Sequence, residues 1–143
     1  MNVAQLLGDK GHDVFSVQPH RTLAEAVRTL AERRIGAVVV TGADGGLLGI
    51  LSERDIVRVL GERGASVLEE PVSQVMTRKV VTCKETDTVA ELMEKMTTGK
   101  FRHLPVVDNG RVVGLISIGD IVKRRVQEYE SEQEALRDYI KTA

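Results

Sequence analysis

Tryptophan is absent from this chain, aromatic residues make up only 3% of it, and a single cysteine occurs among 143 residues. The core must therefore be built from Val, Leu, Ile, Ala and Met, and no internal disulfide can brace it. A lone thiol fits a reducing compartment, and a cytoplasmic location is expected. An excess of either charge is missing too: 20 Lys and Arg stand against 21 Asp and Glu, for a net charge of −1. Nucleic-acid binders draw their affinity from clustered cations, so this balance argues against that class. No apolar run approaches the roughly 20 residues that span a bilayer. Met1–Lys10 lacks the basic start and long apolar stretch of a signal peptide. What is present, 42% hydrophobic and 29% charged residues, is the balance of a globular protein with a real core. The length allows one compact domain or two small, mutually dependent halves.

The second kind of content is repetition. Gly114-Leu115-Ile116-Ser117-Ile118-Gly119-Asp120-Ile121-Val122 reads as a buried strand running into a helix, with a hydroxyl at the junction and a carboxylate three residues on. The same pattern stands earlier as Gly49-Ile50-Leu51-Ser52-Glu53-Arg54-Asp55-Ile56-Val57. The surrounding elements repeat in phase. Asn2–Leu7 reads as a short helical turn, and Val72–Met76 echoes it. Val14–Val17 and Val80–Thr82 are short strand candidates. Thr22 with Glu25, and Thr88 with Glu91, have capping-box spacing ahead of amphipathic helices. Strand pairs follow, Ala37–Thr41 with Leu47–Leu51, and Leu104–Val107 with Arg111–Ile116, the second closed by the hairpin signal Asp108-Asn109-Gly110. Helices then start at Ser52, lasting to about Arg63, and near Ile121. Thr22 maps onto Thr88 66 residues on and Asp55 onto Asp120 65 residues on, so one residue is lost in the second hairpin loop. The pattern is an internal duplication of a β-α-β-β-α unit. Residues 3–64 are read as the first repeat, 65–71 as a linker, 72–126 as the second repeat and 127–143 as a helical extension. On that extension Val122, Val126, Tyr129, Gln133, Leu136 and Ile140 are spaced as an a/d seam. The helix either folds back on its own domain or packs on another subunit.

The order and duplication of these motifs resemble a tandem pair of CBS domains, a Bateman module, over roughly residues 3–126. The residues that carry the resemblance are Val72-Ser73-Gln74-Val75-Met76-Thr77 leading to Val80-Val81-Thr82, Arg102-His103-Leu104-Pro105-Val106-Val107-Asp108, and the two Gly-x-x-Ser-x-x-Asp turns. The resemblance implies an α+β fold in which two β-α-β-β-α repeats pack about a pseudo-two-fold axis and leave two clefts. It also implies an adenosine ligand there (AMP, ADP, ATP, S-adenosylmethionine or an NAD-type molecule), a homodimer, and regulation of a partner protein without catalysis. In such proteins the segment ahead of the hairpin lines the cleft, which nominates Gly36, Lys100, Arg102 and His103, with Arg102 and His103 as phosphate contacts and Arg54 next. Ser16 and Thr82 would approach the adenine edge, and Val38, Pro105 and Ile118 would support its face.

The turn chemistry points the same way by itself. A helix N-terminus carries about four unpaired N–H groups and a partial positive charge, and so attracts phosphate. Ser52 and Ser117 add a hydroxyl there, and Asp55 and Asp120 are placed to accept from vicinal ribose hydroxyls. The competing reading is that Ser and Asp only cap their helices, which would leave a structural dimerisation module with empty clefts. Between the carboxylates, Asp120 is expected to matter at least as much as Asp55. Catalysis and metal binding find little support: His12, His20 and His103 are scattered, no base neighbours Cys83 in sequence, and neither a phosphate-binding loop nor a nucleophile elbow occurs.

Overall fold

The computed structural model describes residues 1–142. Helix α1 (Val3–Lys10) is closed by a reciprocal cap, in which the Asn2 side chain accepts from the Gln5 N–H and the Gln5 side chain accepts from the Asn2 N–H. Strand β1 is only Ser16–Val17, and Thr22 then caps α2 (Leu23–Arg33). The hairpin of β2 (Ala37–Thr41) and β3 (Leu47–Ser52) runs into α3 (Glu53–Arg63). After short 3-10 turns at Ala65–Glu69 and Val72–Gln74, the second set comprises α4 (Val89–Gly99), β4 (His103–Asp108), β5 (Arg111–Ser117) and α5 (Ile118–Thr142). This is the expected α+β duplication. β1 lies parallel to β2, which pairs antiparallel with β3, while β4 and β5 form their own antiparallel pair. Asn109 and Gly110 both take positive φ, 51° and 78°, the geometry that an Asn-Gly hairpin turn requires.

Two expectations are corrected. Val80–Thr82 forms no strand. Only Cys83 reaches the second sheet, donating its N–H to the Pro105 carbonyl while its own carbonyl accepts from Val107, and Val80 and Val81 turn aside to line a cleft. The stretch between the repeats carries a 3-10 turn, with Val67 fully buried. And Val72–Gln74 does not repeat α1 despite the echo in sequence. Pro71 occupies the place of Asn2, and it has neither a side-chain acceptor nor an N–H for Gln74 to cap.

The core is exchanged between the repeats. Val3, Leu6 and Leu7 pack with Leu92, Leu104 and Ile116 of the second repeat, whereas Val67, Val72, Val75 and Met76 pack with Leu23, Val38 and Leu51 of the first. Paired bridges anchor the exchange, Asn2 with Thr88 and Pro71 with Thr22. This reciprocity is the two-fold relation of the repeats. It also accounts for the first residue of the repeated turn: a Cβ on Gly49 would lie 2.7 Å from the Met76 sulfur, and one on Gly114 the same distance from Leu7.

Helix α5 does not fold back. Ile121 is buried and Arg124 pairs with Asp9 of α1, but Val126, Tyr129, Leu136 and Ile140 are exposed. Ala143, the last residue of the expected extension, lies outside the described residues.

Candidate functional site

The two strand-to-helix turns fold alike. At the first, the Asp55 carboxylate accepts from the Ser52 N–H at 3.0 Å and the Ser52 hydroxyl at 3.1 Å, and that hydroxyl accepts from the Asp55 N–H. At the second, Asp120 and Ser117 repeat each bond at 2.8, 2.9 and 3.1 Å. The chain bends back to tie the turns down, with Glu53 N–H donating to the Gly36 carbonyl and Ile118 N–H to that of Arg102. The N-terminal N–H groups of α3 are thus largely satisfied within the protein. Those of Ser52, Glu53 and Asp55 have partners, and Arg54's is left without one among the described residues. A free helix end, the premise from sequence, is reduced here to one N–H; attraction for an anion has to come from side chains.

Those side chains gather at the first turn. A cleft of about 270 Å³, near the small end of small-molecule pockets, is lined there by Gly36, Ser52, Arg54, Asp55, Lys100, Arg102 and His103 of the expected set. Left-handed backbone at Arg34 and Lys100, φ 54° and 57°, ends α2 and α4 and aims the segments after them at this cleft. Arg54 reaches across to the Lys100 carbonyl at 3.5 Å, joining the two repeats over the opening. The His103 ring packs against Gly36, where a Cβ would lie 3.3 Å from it. Burial, with the charge of Lys10, holds His103 below the ordinary histidine range despite the opposing pull of Asp120 and Glu53. It therefore enters the site as a neutral imidazole at neutral pH.

Sequence reasoning missed Glu53, Arg58, Thr77 and Lys79, and the apolar wall of Ile50, Val80, Val81 and Phe101. Arg58 was within reach of inference, one helical turn after Arg54. Thr77, Lys79, Val80 and Val81 come from the stretch between the repeats, and nothing in their local pattern signals that it crosses over to the first turn. Thr77 is fixed there by backbone bonds in both directions with Ile50, and its hydroxyl donates to Asp55 at 3.3 Å.

The rest of the expected set lies elsewhere. Val38 and Pro105 are core residues. Ser16 opens onto a shallow groove with Arg21 and Glu25, and the Thr82 carbonyl accepts from Lys95. Ile118 is exposed at the start of α5. Ser117 and Asp120 belong to the second turn, where the hollow at Asp120, of about 230 Å³, differs in its lining: it is formed by α1 and α5 alone, through Leu6, Asp9, Lys10, Asp120, Lys123, Arg124 and Gln127. Cys83 is buried and its thiol is pushed up to about 11, first by burial and then by Asp87, so it is not a thiolate at neutral pH. Among the described residues no group of His, Cys, Asp and Glu could hold a metal ion, and no helix is long and apolar enough to cross a membrane.

Comparison with known proteins bears on the family and the fold. The family model of the CBS domain matches residues 9–62 and again 72–127. A CBS-domain containing protein from Agrobacterium tumefaciens is 52% identical, with a TM-score of 0.84 over 87% of this chain and 92% of its own. A CBS domain protein from Pyrobaculum aerophilum complexed with AMP is 32% identical, with a TM-score of 0.75 over 84% and 89%. The CBS domain pair of protein MJ0100, in complex with methylthioadenosine and S-adenosyl-L-methionine, is 25% identical, with a TM-score of 0.80 over 90% and 98%. The chain spans about a fifth of the length of a longer curated relative from Arabidopsis thaliana, 41% identical over 104 residues.

Proposed function

Because the chain belongs to the CBS-domain family, with two of its domains in tandem, we propose that it is a non-catalytic regulatory module that binds an anionic adenosine nucleotide in the Asp55 cleft. The observation that carries this reading is the charge of the cleft. Arg54, Arg58, Lys79, Lys100 and Arg102 face Glu53 and Asp55, five cations against two carboxylates. Such a lining favours AMP, ADP, ATP or an NAD-type dinucleotide over the cationic S-adenosylmethionine that a neighbour holds. Asp55 is placed to accept from ribose hydroxyls, and Val80, Val81 and Phe101 offer an apolar face to the base. The neighbour complexed with AMP supports the ligand class.

Calorimetric titration of the full chain with ATP, AMP, NAD and S-adenosylmethionine tests the proposal. We expect at least one of the anionic nucleotides to bind, S-adenosylmethionine to bind about tenfold more weakly or not at all, and Arg102→Ala to cost about tenfold, or 1.4 kcal/mol. A ligand at ~100 times its dissociation constant should stabilise the fold by about 2.7 kcal/mol. Absence of both heat and stabilisation with every nucleotide would overturn it in favour of a purely structural module.

The exposed face of α5 supports a second copy of the chain as protein partner. Val122, Val126, Tyr129, Leu136 and Ile140 are all about half exposed or more on this helix. The charges flanking the seam suit self-pairing. Arg125 with Glu130, and Glu132 with Arg137, stand five residues apart, the g-to-e spacing that a parallel two-stranded coil sets opposite. Regulation of a protein partner is the role proposed for the bound module.

A further inference from the structure

Asp55 and Asp120 occupy equivalent places, yet the cleft at Asp55 is lined from both repeats whereas the hollow at Asp120 is lined by α1 and α5 alone, and the difference lies in what approaches each from the exchanged segment. Over Asp55 that segment is extended. Thr77 donates its N–H to the Ile50 carbonyl at 2.9 Å and its hydroxyl to Asp55 at 3.3 Å, and Lys79, two residues on, lines the cleft without an ion pair among the described residues. Over Asp120 the equivalent segment is the last turn of α1. It stays helical because Asn2 and Gln5 cap it, where Pro71 cannot cap Val72–Gln74. Lys10, which stands where Lys79 stands in the other repeat, is thereby brought inward. Its ammonium donates to Asp120 at 2.6 Å and also to the Leu115 carbonyl, the counterpart of Ile50. One lysine thus makes both of the bonds that Thr77 donates in the first repeat. It does so with a full charge, and charge-assisted bonds of this kind are roughly twice as strong as neutral ones. The Lys10 ammonium bonds the same Asp120 oxygen that accepts from the Ser117 N–H and hydroxyl, so a ribose approaching that oxygen meets a bonded full charge, where at Asp55 it meets neutral Ser52 donors. Arg124 pairs with Asp9, holding the end of α1 against α5 over the same turn.

We infer that this chain takes one nucleotide, in the Asp55 cleft, and that Lys10 is the residue that closes the twin cleft at Asp120. The inference rests on the nucleotide-binding reading above but is tested separately from it. ATP and AMP would be titrated into the full chain and into Lys10→Ala, Lys10→Met and Lys10→Ala/Asp120→Asn, with stoichiometry per chain as the readout. The unaltered chain should bind one equivalent. Either Lys10 substitution should add a second, and Asp120→Asn should remove that added equivalent alone. The methionine variant keeps the length of the side chain, so a gain shared by both variants belongs to the charge and its hydrogen bonds. Two equivalents on the unaltered chain overturn the inference, and so does an unchanged stoichiometry in both Lys10 variants. Absence of binding to the unaltered chain, by contrast, defeats the nucleotide-binding reading. In that case a gain in the Lys10 variants that Asp120→Asn removes still assigns Lys10 as the closing residue, and the lack of one removes that role.

Discussion

Gly49 and Gly114 show how a single missing side chain organises the neighbourhood of the site. Neither has the left-handed φ that favours glycine; both are needed because the exchanged segment presses on the strand just ahead of each Ser-Asp turn. The two are not equally sensitive. A methyl on Gly114 would meet the Leu7 side chain, which can rotate away, whereas one on Gly49 would also meet the Thr77 carbonyl oxygen at 2.8 Å, and backbone cannot yield in that way. Gly49→Ala should therefore destabilise by about 1–3 kcal/mol, the usual range for overpacking, and by more than Gly114→Ala. Thermal melts of the two variants would check this, and equal losses would show that Thr77 is more yielding than its paired bonds to Ile50 imply. The spacing of Gly, Ser and Asp was legible in sequence as a repeated sentence. That the glycine serves a neighbour rather than the turn was not, because the atoms that demand it lie 27 or more residues away.

At the scale of elements, the exchanged segments decide what the cleft is made of. Amphipathic periodicity and caps placed the starts of α2, α3 and α4 within a residue, since those signals are local. The same reasoning read Val3–Leu7 and Val72–Met76 as copies, and one proline made them differ. No local signal says that α1 completes the core of the second repeat, which is a matter of which apolar face finds which. Leu7 is fully buried in that core. Leu7→Ala should accordingly cost about 2–5 kcal/mol, the range for a large-to-small change in a core, although Leu7 lies only a few residues from the start of the chain. Urea unfolding measures it; a loss below about 1 kcal/mol would mean that α1 is a loosely attached arm, and the seating of Lys10 at Asp120 would lose its support.

At the scale of the whole molecule, α5 carries exposed apolar side chains along a helix that its own domain leaves bare. Isolated helical segments of about 15 residues are marginal in water unless a face is packed, so the second copy proposed for this seam would also stabilise the helix. Val126→Glu combined with Leu136→Glu should convert a dimer to a monomer in light scattering while leaving nucleotide binding to the Asp55 cleft within about twofold. A wild-type chain that is already monomeric at tens of micromolar would remove the second copy from consideration. The sequence alone determined the duplication, the cap and turn positions, the two Ser-Asp turns and most of the cationic residues, because each rests on contacts within a few residues or on repetition that can be counted. Only the tertiary structure decided that one turn faces a cleft shared by both repeats while the other is held by a lysine of α1. That outcome depends on Thr77 and Lys10 arriving from segments that cross between repeats, one extended and one helical. Which donor reaches each carboxylate, a neutral hydroxyl at Asp55 or an ammonium at Asp120, follows from the segment that crosses to it.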